Sequence, residues 1–391
     1  MRIESVDLFY FALPQIADQA DGSQDTFVVR VRSDSGLEGF GESDSSPLVA
    51  VACYCLPMSH SNIQPLDRLL VGQTLEGVED IHRIYANARR RALDVAHFPH
   101  AYAAADIALW DLLGKARRTP AWRLLGYERS IARKAYASYV FPDTPEQTRE
   151  LARRARAEGF TAAKFGWGPM GHKGRDFDVA LVAAARAGLG DDAALMVDAG
   201  QVWGTDVATV LDRAAAFAPY KPTWLEEPVS GEAVEEYGQL AGRSAVPIAG
   251  GEACDTIRMA RDYLNIGKVN FLQIDAGRIG GITPAYTSLE LARTAGATWV
   301  NHTFKSHISL AAAMTVMAGE PTCPWVEYCQ APSPLVRDIV RNPILPDAQG
   351  QVRLNDGYGL GIDVDLAAVS AYAKPIVIRV GGEQIGGTAA I

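Results

Sequence analysis

Seven ionisable side chains recur at regular intervals in the second half of the chain. Each closes, follows or lies within a short apolar run, and neighbours are 23 to 34 residues apart: Lys164, Asp198, Glu226, Glu252, Asp275, His302 and Glu327. Any one of them alone is better explained as a helix N-cap or a solvated loop residue. Together they keep step with the apolar runs, which a random scatter of charges would not do. We therefore expect the seven side chains to share one site.

Three consecutive members of this series are carboxylates, Asp198, Glu226 and Glu252. Hard oxygen donors without a neighbouring Cys or His suit Mg²⁺, which keeps coordination positions open for water or substrate oxygens. Three buried carboxylates without a cation would repel one another, and their pKa values would rise. The sequence therefore predicts one bound Mg²⁺ ion.

The next two members are Asp275 and His302. An aspartate beside a histidine fixes the tautomer of the imidazole and raises its basicity, which makes a general base near neutral pH. Glu327 completes the series as a candidate hydrogen-bond donor, provided that it stays protonated. A metal together with such a base is suited to removing a proton from the carbon next to a carboxylate.

The elements that would position these side chains alternate regularly. From about residue 133, short strand-like runs are followed by Ala- and Arg-rich helical segments, in about seven units. Such alternation gives parallel strands joined by right-handed crossovers, so the pattern predicts an α/β fold closed into a (β/α) barrel. The carboxyl ends of barrel strands converge on one face, where the seven side chains would meet. An open doubly wound sheet is the alternative, but no Gly-rich phosphate loop follows the first strand.

The first third of the chain has a different pattern. Residues 1 to about 60 are predicted to form strands, with a hairpin turn at Ser33–Gly36, and residues 76–125 have helical periodicity. The polar segment 14–25 between the first two strands is predicted to be a loop. This part of the chain is therefore an α+β unit.

Composition excludes several classes of protein. The net charge is −9 without an extended basic cluster, which argues against a nucleic-acid partner. No run approaches the roughly 20 apolar residues that span a bilayer, and the N-terminus lacks the pattern of a cleaved signal peptide. Five cysteines without C-x-x-C pairs disfavour disulfides and a zinc site. We expect a cytoplasmic protein that acts on a small molecule.

Five motifs carry a resemblance to a known family. The segments LMVDAG, WLEEP, IAGGE, QIDAGRIGGIT and VNH are ordered and spaced as in the mandelate racemase and muconate-lactonizing branch of the enolase superfamily. The resemblance covers most of the chain. It implies an N-terminal α+β capping domain over residues 1–130, a modified TIM barrel, (β/α)₇β, over 131–349, and a C-terminal segment 350–391 that packs back on the cap. Family members often form symmetric homo-oligomers.

The resemblance also assigns roles to residues. It implies that Asp198, Glu226 and Glu252 bind Mg²⁺, with Glu227 supporting them. Asp275 and His302 match the catalytic dyad of the mandelate racemase subgroup, and Glu327 matches its electrophilic acid.

Specificity would rest on two cap loops, 14–25 and 43–62, which would lie over the site. His60 in the second loop is a possible substrate contact, although an ordinary surface histidine is the simpler interpretation. Lys305 and Arg278 would either bind the substrate carboxylate or line a solvated rim.

Two departures from the family pattern favour one reaction over another. Where the family has Lys-x-Lys, this chain has Lys164 and Gly166, so the second lysine base is missing. Side chains two residues apart on a strand point the same way. The family's Asp-x-Asn is Asp198-Ala199-Gly200 here, which we expect to make room beside the metal. With one clear base, His302, and with Lys164 adding positive charge, a one-base reaction fits better than a two-base racemisation.

The favoured prediction is therefore a Mg²⁺-dependent acid-sugar dehydratase that yields a 2-keto-3-deoxy acid. A racemase or epimerase that uses Lys164 on the second face of the substrate is the alternative. Outside this class, the residues leave open a Schiff-base aldolase that uses Lys164 and a sugar-acid binder without activity.

Overall fold

The computed structural model describes all 391 residues. The chain begins with a three-stranded antiparallel sheet of order β1-β2-β3, formed by β1 (Ile3–Ala12), β2 (Asp25–Ser33) and β3 (Glu38–Ser43). The turn between β2 and β3 lies where the hairpin was predicted. Gly36 in this turn has a φ of 79°, a backbone conformation that favours glycine.

Five helices follow the sheet: α1 (Pro47–Cys55), α2 (Leu66–Leu70), α3 (Val78–Arg91), α4 (Phe98–Ala116) and α5 (Ala121–Leu124). The long helix α4 packs across the sheet, and a side chain at Gly39 or Gly41 would collide with its backbone. Helix α1 corrects the sequence analysis, because residues 47–55 were predicted as strand or loop. The run PLVAVACYC is apolar nearly throughout, so its alternation could not distinguish a strand from a buried helix.

The second sheet has nine strands, of which eight are parallel and form the barrel, in the order β11-β4-β5-β6-β7-β8-β9-β10. They are β4 (Arg133–Val140), β5 (Ala162–Gly166), β6 (Ala194–Asp198), β7 (Pro222–Glu226), β8 (Ile248–Gly250), β9 (Phe271–Ile274), β10 (Thr298–Asn301) and β11 (Trp325–Cys329). The barrel closes between its end strands, where the Asn301 side chain accepts a hydrogen bond from the backbone N–H of Glu327 at 2.9 Å.

Helices connect each strand to the next: α6 (Pro145–Ala157), α7 (Arg175–Leu189), α8 (Val207–Phe217), α9 (Val234–Leu240), α10 (Ile257–Asn265), α11 (Ala276–Ile279), α12 (Ile282–Ala295) and α13 (His307–Val316). Seven crossovers joining eight parallel strands confirm the predicted modified TIM barrel. The predicted α+β unit precedes it.

The barrel interior is filled by a compact layer of side chains below the site. Its members are Tyr136, Ala162, Met196, Trp224, Ala249 and Val300. The Trp224 indole donates a hydrogen bond of 2.9 Å to Oε2 of Glu226. This layer supports the acidic residues from beneath and separates them from the opposite end of the barrel.

The C-terminal part of the chain contacts both units. It contains α14 (Pro334–Arg337), β12 (Gln351–Val352), β13 (Val377–Val380) and β14 (Glu383–Gly387). Strand β12 pairs with β4 of the barrel, whereas Lys374 and Ala389 donate backbone hydrogen bonds to β1. The domain boundaries near residues 130 and 349 remain predictions. No helix combines the length and the apolar character needed to cross a membrane.

Candidate active site

The barrel brings the seven predicted side chains to one end of its strands. Asp198 and Glu226 end β6 and β7, Asp275 and His302 directly follow β9 and β10, and the other three lie within β5 and β11 or just after β8: Lys164, Glu327 and Glu252. All seven are at least 94% buried. Buried charges are costly unless they are paired or bind a metal, so the cluster requires compensation.

The three carboxylates are close enough to share one cation. Ligand oxygens of Asp198, Glu226 and Glu252 all lie within 4.8 Å of one another. Burial and the neighbouring Glu226 charge hold the pKa of Asp198 well above its usual value, and burial also raises the pKa of Glu226. A divalent cation would relieve this repulsion, and an all-oxygen donor set suits Mg²⁺. The residues therefore fit a Mg²⁺ ion.

Lys164 partly neutralises the same carboxylates. Its Nζ lies 2.6 Å from Oε1 of Glu226, 2.8 Å from Oε1 of Glu327 and 3.7 Å from Oδ2 of Asp198. Burial alone would lower the pKa of Lys164, but Glu226 and Glu327 outweigh it and hold the pKa well above its usual value. A lysine kept as an ammonium ion is a poor nucleophile, which argues against the Schiff-base aldolase.

Glu327 differs from the expectation that it stays protonated. Its carboxylate accepts hydrogen bonds from Lys164, from the Ser138 hydroxyl at 2.8 Å and from the Thr303 backbone N–H at 2.7 Å. Burial raises its pKa, but the charges of Lys164 and His302 outweigh that effect and lower the pKa to about 2. The sequence could not reveal this, because no spacing rule predicts that Lys164 binds Glu327. The group that can donate hydrogen bonds at this position is the Lys164 ammonium, not Glu327.

His302 and Asp275 form the expected pair. Nδ1 of His302 lies 2.7 Å from Oδ2 of Asp275, whose Oδ1 accepts the Gly277 backbone N–H at 2.6 Å. This arrangement fixes the imidazole and leaves Nε2 free of Asp275. Nε2 lies 3.4 Å from Oε2 of Glu252. Burial lowers the pKa of His302, but the Glu252 charge outweighs it and the pKa rises to about 10. A cation bound by Glu252 would offset that charge and lower the pKa of His302 again, which a base requires because only the neutral imidazole accepts a proton.

Gly166 has no space for a side chain. It lies in register with Asp198 on the neighbouring strand, and a Cβ atom built on it would be 2.5 Å from the Cβ of Asp198. The position of the missing second lysine is therefore filled by Asp198 and leaves no space for another side chain. At Gly200 the structure corrects the sequence analysis. The room that was expected beside the metal is occupied by the Trp167 indole, whose Cδ2 would lie 2.5 Å from a Cβ atom there.

A cavity of about 450 Å³ opens over these residues. From the barrel it is lined by Ser138, Tyr139, Val140, Lys164, Trp167, Asp198, Gln201, Glu252, Ala253, Arg278, His302 and Phe304, and from the cap by Gln19, Ala20, Asp21 and Gly22. The first predicted cap loop thus reaches the cavity. The volume lies within the range typical of small-molecule sites.

The structure places the side chains of His60 and Lys305 outside the cavity, with His60 at the surface. His60 does not line the cavity; its side chain is 52% exposed and lies 3.7 Å from Asp94. It belongs to the irregular segment between α1 and α2, which lies within the loop predicted over residues 43–62. Nζ of Lys305 is buried and lies 2.9 Å from Asp25 and 3.4 Å from Asp44, so it joins the barrel to the cap.

Arg278 contacts the cap and also lines the cavity. Its guanidinium lies 2.6 Å from Asp44 of the cap and 3.0 Å from Oε1 of Glu252, and it lines the cavity. Burial opposes its charge, but Asp44 and Glu252 hold the pKa of Arg278 well above its usual value. It therefore orients Glu252 rather than standing free for a substrate.

Seven residues of the barrel line the cavity without having been predicted: Ser138, Tyr139, Val140, Trp167, Gln201, Ala253 and Phe304. Trp167 and Gln201 have φ values of 57° and 64°, and Glu227 follows the next strand with a φ of 39°. Non-glycine residues in this region are strained and often mark functional sites. The strand-end rule, extended to β4, would have identified Ser138. The side chain of Glu227 accepts a 2.6 Å hydrogen bond from Gln201. Nothing in the sequence indicated the positive φ values of Trp167, Gln201 and Glu227.

Two family models match this chain. One, described as the mandelate racemase/muconate lactonizing enzyme N-terminal domain, matches residues 11–126. The other, described as enolase C-terminal domain-like, matches residues 147–368. Together they cover both units of the fold.

Curated relatives act on acid sugars or their lactones, by their names. A D-galactarolactone cycloisomerase of Agrobacterium fabrum is 30% identical over 89% of this chain and 91% of its own length. An L-talarate/galactarate dehydratase of Salmonella typhimurium is 30% identical over 85% of this chain and 79% of its own. A D-galactonate dehydratase of Klebsiella pneumoniae is 28% identical over 86% and 88%.

Two solved structures resemble this chain over nearly its full length. A structure from Rhodobacter sphaeroides, described as a predicted mandelate racemase, is 42% identical, covers 100% of both chains and gives a TM-score of 0.95. A racemase from Streptomyces coelicolor, solved with bound magnesium, is 25% identical, covers 95% of this chain and 100% of its own, and gives a TM-score of 0.81.

Proposed function

This chain belongs to the mandelate racemase/muconate lactonizing enzyme family of the enolase superfamily, and on that premise we propose that it is a Mg²⁺-dependent acid-sugar dehydratase. The observation that carries the proposal is the asymmetry of the cavity. One side holds the His302–Asp275 pair, and on the other β5 ends at Gly166, where Asp198 leaves no space for a second base.

The proposed metal ligands are Asp198, Glu226 and Glu252. When bound there, Mg²⁺ would supply Lewis acidity that makes the proton on the carbon next to the substrate carboxylate easier to remove. The Lys164 ammonium lines the same cavity and adds positive charge near the carboxylate. Arg278 holds Glu252 in place through its 3.0 Å contact.

His302 is the proposed base. Its Nε2 takes the α-proton, and the electron pair of that C–H bond becomes the carbon–carbon double bond as the β-hydroxyl leaves. The proton gained by His302 passes to the departing hydroxyl, which leaves as water. The enol then tautomerises to a 2-keto-3-deoxy acid, so the reaction amounts to loss of one water. Asp275 stabilises the imidazolium during this transfer.

A second candidate, cycloisomerisation, is favoured by the D-galactarolactone cycloisomerase relative. In a cyclic acid sugar, a ring oxygen on the β-carbon can leave instead of hydroxide after the same proton removal. The product would then be an isomer of the substrate rather than a dehydrated acid. Epimerisation requires a base on each face, and the fixed ion pairs of Lys164 with Glu226 and Glu327 make it the weaker candidate.

A panel of sugar mono- and diacids and their lactones, incubated with the protein and Mg²⁺, tests the proposal. We expect at least one acid to give a 2-keto acid whose mass is lower by one water. A product of unchanged mass formed from a lactone would indicate cycloisomerisation. Recovery of an epimer without loss of water would refute dehydration.

A further inference from the structure

Trp167 has an unusual backbone conformation at the mouth of the barrel. It directly follows Gly166, has a φ of 57°, and donates its backbone N–H to the carbonyl of Asp198 at 3.1 Å. Its side chain lines the cavity and the residue is 37% exposed, which is uncommon for so large an apolar group. A strained conformation persists only where the surrounding structure enforces it, and such residues cluster at ligand sites.

Gly200 provides the seat for the Trp167 indole. A Cβ atom on Gly200 would lie 2.5 Å from Cδ2, 2.8 Å from Cε2 and 2.9 Å from Cε3 of the indole. Any larger residue at position 200 would therefore displace the ring. Gly200 also has a φ of 56°, which favours glycine. The two residues form one unit, the Trp167–Gly200 platform, which presents an aromatic surface to the cavity next to Asp198.

The positive charges of the cavity are committed to carboxylates. Lys164 binds Glu226 and Glu327, and Arg278 binds Asp44 and Glu252. Both cations thus belong to the metal end. A substrate carboxylate bound at the proposed metal site would lie near these two cations. Neither cation is free to pair with a second carboxylate at the other end of the substrate.

The remaining cavity wall contains no cation: apart from Ser138 and small or aliphatic residues, its side chains are aromatic, amide or acidic. Besides Trp167 it presents Tyr139, Phe304, Gln19, Gln201 and Asp21. A second substrate carboxylate would face Asp21 there without a counter-charge, and such a like-charge contact is unfavourable. Substrate hydroxyl groups, in contrast, can bind the Gln19 amide and Asp21, and the C–H groups of a sugar can lie against an indole.

We infer that the substrate is a monocarboxylate sugar acid, whose uncharged carbon chain or ring packs on the Trp167–Gly200 platform, rather than a dicarboxylate. The inference rests on the proposed function for the reaction, and it names the substrate class. Trp167 is then a specificity-determining residue of the barrel itself, in addition to the cap loop at Gln19–Gly22. One further cation, Arg154, lines an adjoining cavity beyond Tyr139; it lies 3.5 Å from Glu158 and its side chain is 59% exposed.

The test compares acids that share a configuration and differ in one carboxylate. With the Mg²⁺-loaded enzyme, kcat/KM is measured for D-galactonate against galactarate and for D-gluconate against D-glucarate. We expect kcat/KM of the active monoacid to exceed that of its diacid by about tenfold, because the second carboxylate would lie beside Asp21 without a counter-charge. Equal or higher kcat/KM for the diacid would overturn the inference. So would diacid turnover that is lost in Arg154→Ala, because it would assign the second carboxylate to that arginine.

Variants of the platform test the role of Trp167. In Trp167→Ala we expect KM for the monoacid to rise about tenfold, with a smaller change in kcat, because stacking area is lost while the base is untouched. Trp167→Phe should retain most of the affinity. Trp122→Phe, which alters a tryptophan outside the cavity, is the matched control. An unchanged KM in Trp167→Ala would contradict the platform.

Binding gives a readout that does not depend on turnover. Intrinsic tryptophan fluorescence is titrated with each acid in the presence of Mg²⁺, and we expect a change with the monoacid that disappears in Trp167→Phe and persists in Trp122→Phe. If no acid is turned over, the dehydratase proposal fails, but tighter binding of the monoacid would still support the inference. Tighter binding of the diacid, or no binding of either, would overturn it.

Discussion

The His302 side of the barrel mouth and the Gly166 side, which lie across the barrel from each other, are built for different tasks. Strands β9 and β10 present a hydrogen-bonded base, with Nδ1 of His302 2.7 Å from Asp275. Strand β5 ends instead in a glycine packed against Asp198 and an aromatic ring packed against Gly200. In the proposed reaction, one face of the substrate would meet a proton acceptor, His302, and the other would meet a surface without a second base. A site of this kind suits elimination from one face better than inversion of a stereocentre.

The largest expected effect comes from removing the only base. His302→Asn should lower kcat by about 10²- to 10⁴-fold, the usual contribution of a general base, whereas Mg²⁺ affinity should change little because the three acids remain. Steady-state kinetics and a calorimetric Mg²⁺ titration measure the two quantities. Turnover at the wild-type rate would show that the His302 side does not hold the base, and it would contradict the functional difference between the two sides.

A second large effect concerns the acids between the two sides. Asp198→Asn and Glu226→Gln should each weaken Mg²⁺ binding by more than the roughly 10- to 100-fold that follows loss of a group hydrogen-bonded to a ligand. Each change removes a charge from the cluster within 4.8 Å. Calorimetry on both variants checks this, with circular dichroism to establish folding. Normal affinity in both variants would remove these residues from the ligand set.

A smaller effect is expected when a lysine is restored on the empty side. Gly166→Lys should not create a racemase, because any Cβ there would meet Asp198 at 2.5 Å. Overpacking of this kind costs about 1–3 kcal/mol, so we expect reduced thermal stability and weaker Mg²⁺ binding. Gly166→Ala should show the same change to a lesser degree. A stable Gly166→Lys enzyme that interconverts epimers would mean that the second side is merely unoccupied.

The smallest effect should come from His60. His60→Ala should change kcat/KM by less than about twofold, because isolated surface changes lie within ±0.5 kcal/mol and His60 contacts Asp94 outside the cavity. Kinetics with the best monoacid substrate measures the effect. A tenfold rise in KM would return His60 to the substrate contacts and extend the cavity to the second cap loop.

The two sides also differ in how far the sequence revealed them. The His302 side follows from strand periodicity, because polar residues that end successive strands must converge in a barrel. On the Gly166 side, the sequence shows that the second lysine is absent. It does not show that Asp198 packs against Gly166. Trp167 and Gly200 lie 33 residues apart, and no periodicity links a positive φ at one to a missing side chain at the other.

Charged groups showed the same limit. The sequence placed Lys164 and Glu327 in the ring of strand ends, but not the 2.8 Å ion pair that keeps Glu327 ionised. The sequence left open whether Lys305 binds the substrate carboxylate or lines a solvated rim, and it did not indicate that its partners, Asp25 and Asp44, come from the cap. Such pairings depend on how two units dock, and the local pattern of one strand contains no information about that.

The most direct test of the one-base account follows the proton. The active substrate is incubated with the Mg²⁺-loaded enzyme in D₂O, the reaction is stopped at partial conversion, and the recovered substrate is analysed by mass spectrometry and proton NMR. Because His302 can return a deuteron only to the face from which it took the proton, we expect any deuterium at the α-carbon to appear with retained configuration. Deuterium at that carbon with inverted configuration would show a second base and contradict the account.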